Sequence, residues 1–163
     1  MTVPYRKVFE ELENRQIKYL VAGGFAVNFH QVQRATVDLD LILHLEKDNI
    51  LAFVKLMQEL GLAPRLPVNA ADFANPQMRE KWINEKHMMV FSFFKSDNPF
   101  ETIDLFVKEP APFDELWARR FEAKAFGLKI RVVGKADLIA MKKDTGREKD
   151  EFDIRQLEKS TEG

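Results

Sequence analysis

The chain has 163 residues, 45% of them hydrophobic and 31% charged, with a formal net charge of -1, which is the size of one domain able to bury a continuous core without covalent staples. So balanced a charge excludes a global basic field for nucleic acid or an anionic membrane, and a polyanion has to be met by a local patch. With no cysteine, disulfides and thiolate metal sites are excluded, and a reducing compartment is compatible.

The first segment, MTVPYRKVFEELENR, carries charges where a signal peptide would have an apolar h-region, and no apolar run approaches the length of a membrane span, so a cytoplasmic protein without a membrane partner is expected. From Pro4 onward Val8, Phe9, Leu12 and Ile17 recur at helical spacing, predicting an amphipathic helix followed by a short buried strand, IKYLVAG. Gly23 and Gly24 end that strand and permit the turn into the next helix, GFAVNFHQV. Past the loop QRAT comes the strand DLDLIL. Asp48 is the expected N-cap of the helix NILAFVKLMQEL, and Gly61 its stop. LAPRLPVNAADFANP reads as a loop, and a short helix follows around MREKWINEK. Two strands, MMVFSFFK and ETIDLFVK, are separated by the turn SDNP. PFDELWARRF reads as a helix, and AKAFGLKIRVV as a hairpin or pair of short strands around Gly127. Helical spacing returns in ADLIAMKKD and again in EFDIRQLEK. This order predicts an α+β (α/β) domain, a mixed β-sheet flanked by helices, with a core over about 17–134 and a helical C-terminal segment over about 135–159.

Asp38 and Asp40 alternate with apolar Leu39 and Leu41, so in a strand both carboxylates face the same way. Their Cα atoms would lie about 6.6 Å apart, within reach of one or two shared cations. Alone, such a pair describes any half-exposed strand with an acidic face. Asp104, flanked by Ile103 and Leu105 in a later strand, repeats the pattern. Three carboxylates packed together raise one another's pKa, a cost that bound divalent cations reverse, and magnesium carrying substrate phosphates suits such a cluster.

Gly-Gly at a helix start, a short gap, Asp-x-Asp in an apolar strand and a later lone Asp together resemble the DNA polymerase β-type nucleotidyltransferase superfamily. The residues are AGG at Ala22–Gly24, VDLDL at Val37–Leu41, and Asp104. With Ala26, His30, Arg34 and Thr36 between the two motifs, and the closing segment ADLIAMKKDTGREKDEFDIRQLEK, the chain is similar to small bacterial nucleotidyltransferases related to type IV toxin–antitoxin toxins and to minimal antitoxin nucleotidyltransferases. The correspondence runs from about Tyr19 to Leu157, and its specific motifs fill under half of that span.

The resemblance implies the nucleotidyltransferase fold. It also implies two Mg²⁺ ions held by Asp38, Asp40 and Asp104, an NTP substrate, and transfer of a nucleoside monophosphate by in-line displacement. Asp104 would help take the proton from the attacking hydroxyl. Gly23 and Gly24 would admit phosphate oxygens to backbone N–H groups, Arg34 and Thr36 would contact phosphate or hold their loop, and Lys142, Arg147 and Lys149 would counter the triphosphate, with Lys143 competing for that role. Lys142 and Lys149, seven apart, share a helix face if one helix contains both, and Arg147 joins them if Gly146 does not break it. Asp150 and Asp153 are expected to pair with Arg147 or Lys149, and His30 to be structural. Phe25, Phe29, Phe91, Phe93 and Phe94 are expected to be mostly core, with a stacking platform among them as an alternative.

Acceptors consistent with this reading are a protein or an RNA, in a toxin–antitoxin context a cognate partner. A small hydroxylated molecule such as an aminoglycoside is a further alternative, though the enzymes that act on those usually add a substantial helical domain. A non-catalytic nucleotide-binding or interaction module retaining the fold is the contrasting class, and the survival of all three carboxylates argues modestly against it.

Overall fold

The structure, a computed structural model, describes residues 5–160. Among them the chain begins with α1 (Arg6–Asn14), β1 (Tyr19–Ala22), α2 (Gly23–Phe29) and β2 (Leu39–Leu43). It continues with α3 (Lys47–Glu59), β3 (Leu62–Pro64), a 3-10 turn (Ala70–Ala74), α4 (Pro76–Lys86), β4 (Val90–Lys95) and β5 (Asn98–Phe106). The last elements are α5 (Phe113–Ala118), β6 (Phe121–Ala125), β7 (Leu128–Val132), α6 (Lys135–Thr145) and α7 (Glu148–Lys159). The strands form one seven-stranded sheet in the order β3-β4-β5-β2-β1-β7-β6. It is mixed: β2 runs parallel to β5 and β1 parallel to β7, and the other neighbours are antiparallel.

The apolar run YLVA is buried at every position because β1 lies inside the sheet with helices over it. Helix α1 buries Val8, Phe9 and Leu12 in the same core as β1 and β2, as its spacing predicts. The cap of α3 differs from expectation. The Glu46 carboxylate accepts from the Asp48 and Asn49 amides, at 3.2 and 3.1 Å, so the helix starts two residues earlier and Asp48 lies in its first turn. Asp48 was the residue type that caps most often, but the longer Glu46 side chain reaches the free N–H groups first.

Another correction concerns LAPRLPVNAADFANP. Leu62–Pro64 form β3, pairing antiparallel with β4, and Ala70–Ala74 form the 3-10 turn, burying Ala70 and Phe73. A three-residue edge strand ending in proline has too few positions to show alternation, and Pro64 is tolerated because it sits at the edge. Lys142 and Lys149 also do not share a helix. Gly146, at φ +61°, terminates α6 in a left-handed cap, and α7 starts afresh at Glu148.

Candidate active site

Two of the sheet's acidic residues, Asp40 and Asp104, lie on its central strands. Asp40 lies opposite Asp104 across the parallel β2–β5 pair, and opposite Ala22, the last residue of β1, on its other side. Adjacent strands are about 4.8 Å apart, so the two carboxylates are immediate neighbours. Asp38 sits in a bend one residue before β2, exposed, two positions from Asp40. The predicted trio is thus brought to one place, with Asp38 at the mouth and Asp40 and Asp104 deeper.

Electrostatics follow from that placement. Burial first, then the Asp104 and Asp38 charges, push the Asp40 carboxyl up to about 7. Asp38 is raised by burial and by Asp104, and the Arg65 guanidinium works against the shift. Asp104 is oriented by Ser92, directly across the β4–β5 pair, whose hydroxyl donates to Asp104 Oδ1 at 2.6 Å.

The glycine pair has a packing reason. Gly23 stands at φ +62°, and a Cβ there would fall 1.9 Å from Asp40 Oδ2, so only glycine lets the chain turn from β1 into α2 beside that carboxylate. A Cβ on Gly24 would meet Thr36 Oγ1 at 2.5 Å. Thr36 therefore packs the loop entering β2 against the start of α2. Tyr5 secures the same entry from the other side: its buried hydroxyl lies 2.7 Å from the Val37 carbonyl oxygen and 3.0 Å from that of Thr102, and accepts from the Thr102 amide at 3.2 Å. It ties the segment bearing Asp38 to the strand bearing Asp104.

The basic residues named from sequence fall into two sets. Arg34, Lys142 and Arg147 join one network with two buried carboxylates. Arg34 pairs with Asp153, Lys142 Nζ lies 3.0 Å from Asp153 and 3.6 Å from Asp150, and Arg147 Nε donates to Asp150 at 2.8 Å. Burial works to raise Asp150, but hydrogen bonds from Arg147 and Thr145 outweigh it and hold the carboxyl below the ordinary range. Asp150 and Asp153 are structural, as expected, but their partners reach beyond the tail to Arg34, 119 residues away. Three cations against two carboxylates leave one positive charge in excess, and both Lys142 and Arg147 interact favourably with Asp40. Lys149 and Lys143 are exposed and stand outside this network among the described residues.

His30 is fully buried, its Nε2 2.8 Å from the Val133 carbonyl oxygen and its ring against Phe121. Burial lowers its pKa, which fits a neutral imidazole donating from Nε2. Phe25, Phe91 and Phe93 are core and Phe29 packs against them. Phe94 is half-buried under the Arg65 guanidinium, 4.9 Å from its ring centroid. Sequence reading missed Arg65, Ser92 and Tyr5. Ser92 lies in β4, which pairs with β5, and Arg65 follows β3, which pairs with β4, and no local pattern reveals either pairing, whereas Tyr5 is an ordinary aromatic at a helix start.

The donor set suits a hard cation: carboxylate oxygens whose mutual repulsion a divalent ion would relieve. Among the described residues no three acidic or histidine side chains close into an all-protein metal cage. Magnesium bound through one or two carboxylates and completed by phosphate oxygens requires none.

No family model matches the sequence, and no curated protein matches it. Solved structures do. The lincomycin-bound lincosamide antibiotic adenylyltransferase LnuA is similar with a TM-score of 0.62 at 14% identity, over 94% of this chain and 93% of that one. The chain has the nucleotidyltransferase fold. ANT(2")-Ia in complex with adenylyl-2"-tobramycin is similar over 93% of this chain and 83% of that chain, with a TM-score of 0.60 at 14% identity. A Thermotoga maritima protein assigned as a nucleotidyltransferase gives 0.58 at 11% identity, over 93% and 88%. Among the described residues no helix is long and apolar enough to cross a membrane.

Proposed function

We propose that the chain is a Mg²⁺-dependent nucleotidyltransferase that moves a nucleoside monophosphate from an NTP to an acceptor hydroxyl. The observation that carries this reading is the register of Asp40 with Asp104 beside Gly23, which sets two carboxylates side by side at the end of β1, that of Asp40 with its pKa raised, and the helix start against them. Asp38, Asp40 and Asp104 would hold two Mg²⁺ ions, which supply charge neutralisation for the triphosphate and for the attacking and leaving oxygens. The chain's own groups do the rest. Gly23 and Gly24 admit phosphate oxygens close to the backbone, while the excess positive charge of the Arg34–Lys142–Arg147 network, with Lys149 nearby in sequence, draws the triphosphate to that side. Asp104, with Oδ1 held by Ser92, is positioned to take the acceptor's proton through Oδ2 as the new P–O bond forms and pyrophosphate leaves.

The acceptor in this reading is a macromolecule, a protein or an RNA, with a cognate toxin or antitoxin as one candidate, in a cytoplasmic setting. A small hydroxylated acceptor is the second reading, favoured by the near-complete coverage of the lincosamide adenylyltransferase chain. Binding of a non-hydrolysable NTP, titrated with and without Mg²⁺, tests the shared core. The proposal expects Mg²⁺ to tighten binding in the wild type and to have no effect after Asp38→Ala plus Asp40→Ala. A module acting by contact alone shows the same isotherm in all four conditions.

A further inference from the structure

The residues assigned to the triphosphate all approach the carboxylates from one half of the sheet. Gly23 and Gly24 follow β1, and Lys142 and Arg147 follow β7. On the opposite half, beyond β5 and β4, Arg65 faces the same centre. Arg65 follows β3, and its backbone N–H donates to the Ser92 carbonyl at 2.9 Å, which seats it beside the serine that holds Asp104. Its guanidinium lies over the Phe94 ring and donates from Nη2 to Thr102 Oγ1 at 3.3 Å. Phe94, Thr102, Ser92 and Asp104 share one face, because Phe94 pairs with Thr102 and Ser92 with Asp104.

The guanidinium is thus held flat at both its face and one edge, yet only one of its five N–H donors is used within the described residues. It forms no ion pair with a carboxylate there. Asp38 feels its charge, and Asp38 is committed to the cation site by the reading above. A planar, pre-ordered and largely unengaged arginine on the Asp104 side is built to receive a bidentate anion.

We propose that Arg65 is the acceptor-recognition residue of this site, and that the acceptor carries an anionic group, phosphate or carboxylate, next to the hydroxyl that is modified. The inference rests on the nucleotidyltransferase reading. Arg65 fixes the anion while Asp104 faces the hydroxyl, so the nucleotide and the acceptor enter from opposite halves of the sheet. Phe94 acts through Arg65 as a positioning residue.

The test compares wild type, Arg65→Gln and Arg65→Lys in two assays. In the first, protein saturated with Mg²⁺ and a non-hydrolysable NTP is titrated with inorganic phosphate, and the Arg65 Nε–H resonance is followed by NMR. Saturable movement in the wild type, with phosphate affinity lost in Arg65→Gln and partly kept in Arg65→Lys, is expected. Absence of movement overturns the proposal without touching the nucleotidyltransferase reading. In the second, the NTP dissociation constant is measured: Arg65→Gln is expected to leave it within twofold, and a tenfold rise would place Arg65 in the triphosphate site and also overturn the proposal. Failure of Asp40→Asn to weaken Mg²⁺-dependent NTP binding would instead sink the underlying reading.

Discussion

Replacing Asp40 by Asn is expected to make the metal-free protein more stable while destroying its activity. In the folded chain the Asp40 carboxyl is displaced from 3.8 to about 7, chiefly by burial and then by its acidic neighbours. Between those values the folded state retains a proton that the unfolded chain has released. Stability therefore falls as pH rises through this window and levels off above about 7. At about 1.4 kcal/mol per pH unit the full effect is about 4 kcal/mol, and partial solvation of the carboxylates brings the expected gain to about 2–4 kcal/mol. For a domain of this length that corresponds to a rise in Tm of roughly 4–16 °C. Asn keeps the size of Asp and removes the charge, so the gain is read directly from thermal unfolding in EDTA at pH 8 and at pH 5. The variant should unfold well above the wild type at pH 8 and close to it at pH 5, and added Mg²⁺ with NTP should stabilise the wild type alone. An Asp40→Asn variant that is less stable than the wild type at pH 8, or whose advantage over the wild type is no larger at pH 8 than at pH 5, would refute this electrostatic account.

Gly23→Ala places a Cβ 1.9 Å from Asp40 Oδ2 in a left-handed backbone. It is expected to lose Mg²⁺-dependent NTP binding and at least about 1–2 kcal/mol of stability, measured by calorimetric titration and denaturant unfolding. Lys142→Met leaves Asp153 paired with Arg34 and Asp150 with Arg147, so it should cost about 1.5–3 kcal/mol, the range for one hydrogen bond to a charged group; an unchanged denaturation midpoint would contradict the network. Because Asp40 must lose its proton to bind a cation, Mg²⁺ affinity in the presence of NTP should fall about tenfold per pH unit below about 7, and a flat profile from pH 5 to 8 would contradict that coupling. His30→Gln should lower stability by about 1 kcal/mol through the Val133 contact and leave turnover unchanged, since the ring lies in the core; a large kcat loss would return His30 to the chemistry.

What the sequence made legible is what local chemistry encodes. The run YLVA and the Gly-Gly turn each follow from one-residue rules and lie where expected, whereas the expected strand DLDLIL begins one residue late, at Leu39, with Asp38 in the bend before it. The partnership of Asp104 with Asp40 was suggested by pattern, but its exact register depends on a parallel pairing across 64 positions of chain. Long-range contacts account for the rest. Arg34, expected to contact phosphate or hold its loop, could not be matched to Asp153 from sequence because that partner is supplied by the last helix. Arg65 looked like loop filler because β3 is three residues long and derives its place from β4. Glu46 displaced Asp48 as the cap through side-chain reach alone, which residue-type preference does not weigh. The single break at Gly146 decided which lysines share a surface.

The most direct test of the central claim is transfer itself. Purified protein, Mg²⁺ and each α-³²P-labelled NTP in turn are incubated with cell lysate, and the products are divided between nuclease digestion, protease digestion and small-molecule chromatography. The account predicts covalent label that requires Mg²⁺, disappears in Asp40→Asn and in Asp104→Asn, and survives in His30→Gln, with the digestion naming the acceptor class. Label that persists in both aspartate variants, or none with any NTP beside an active control enzyme, would contradict it.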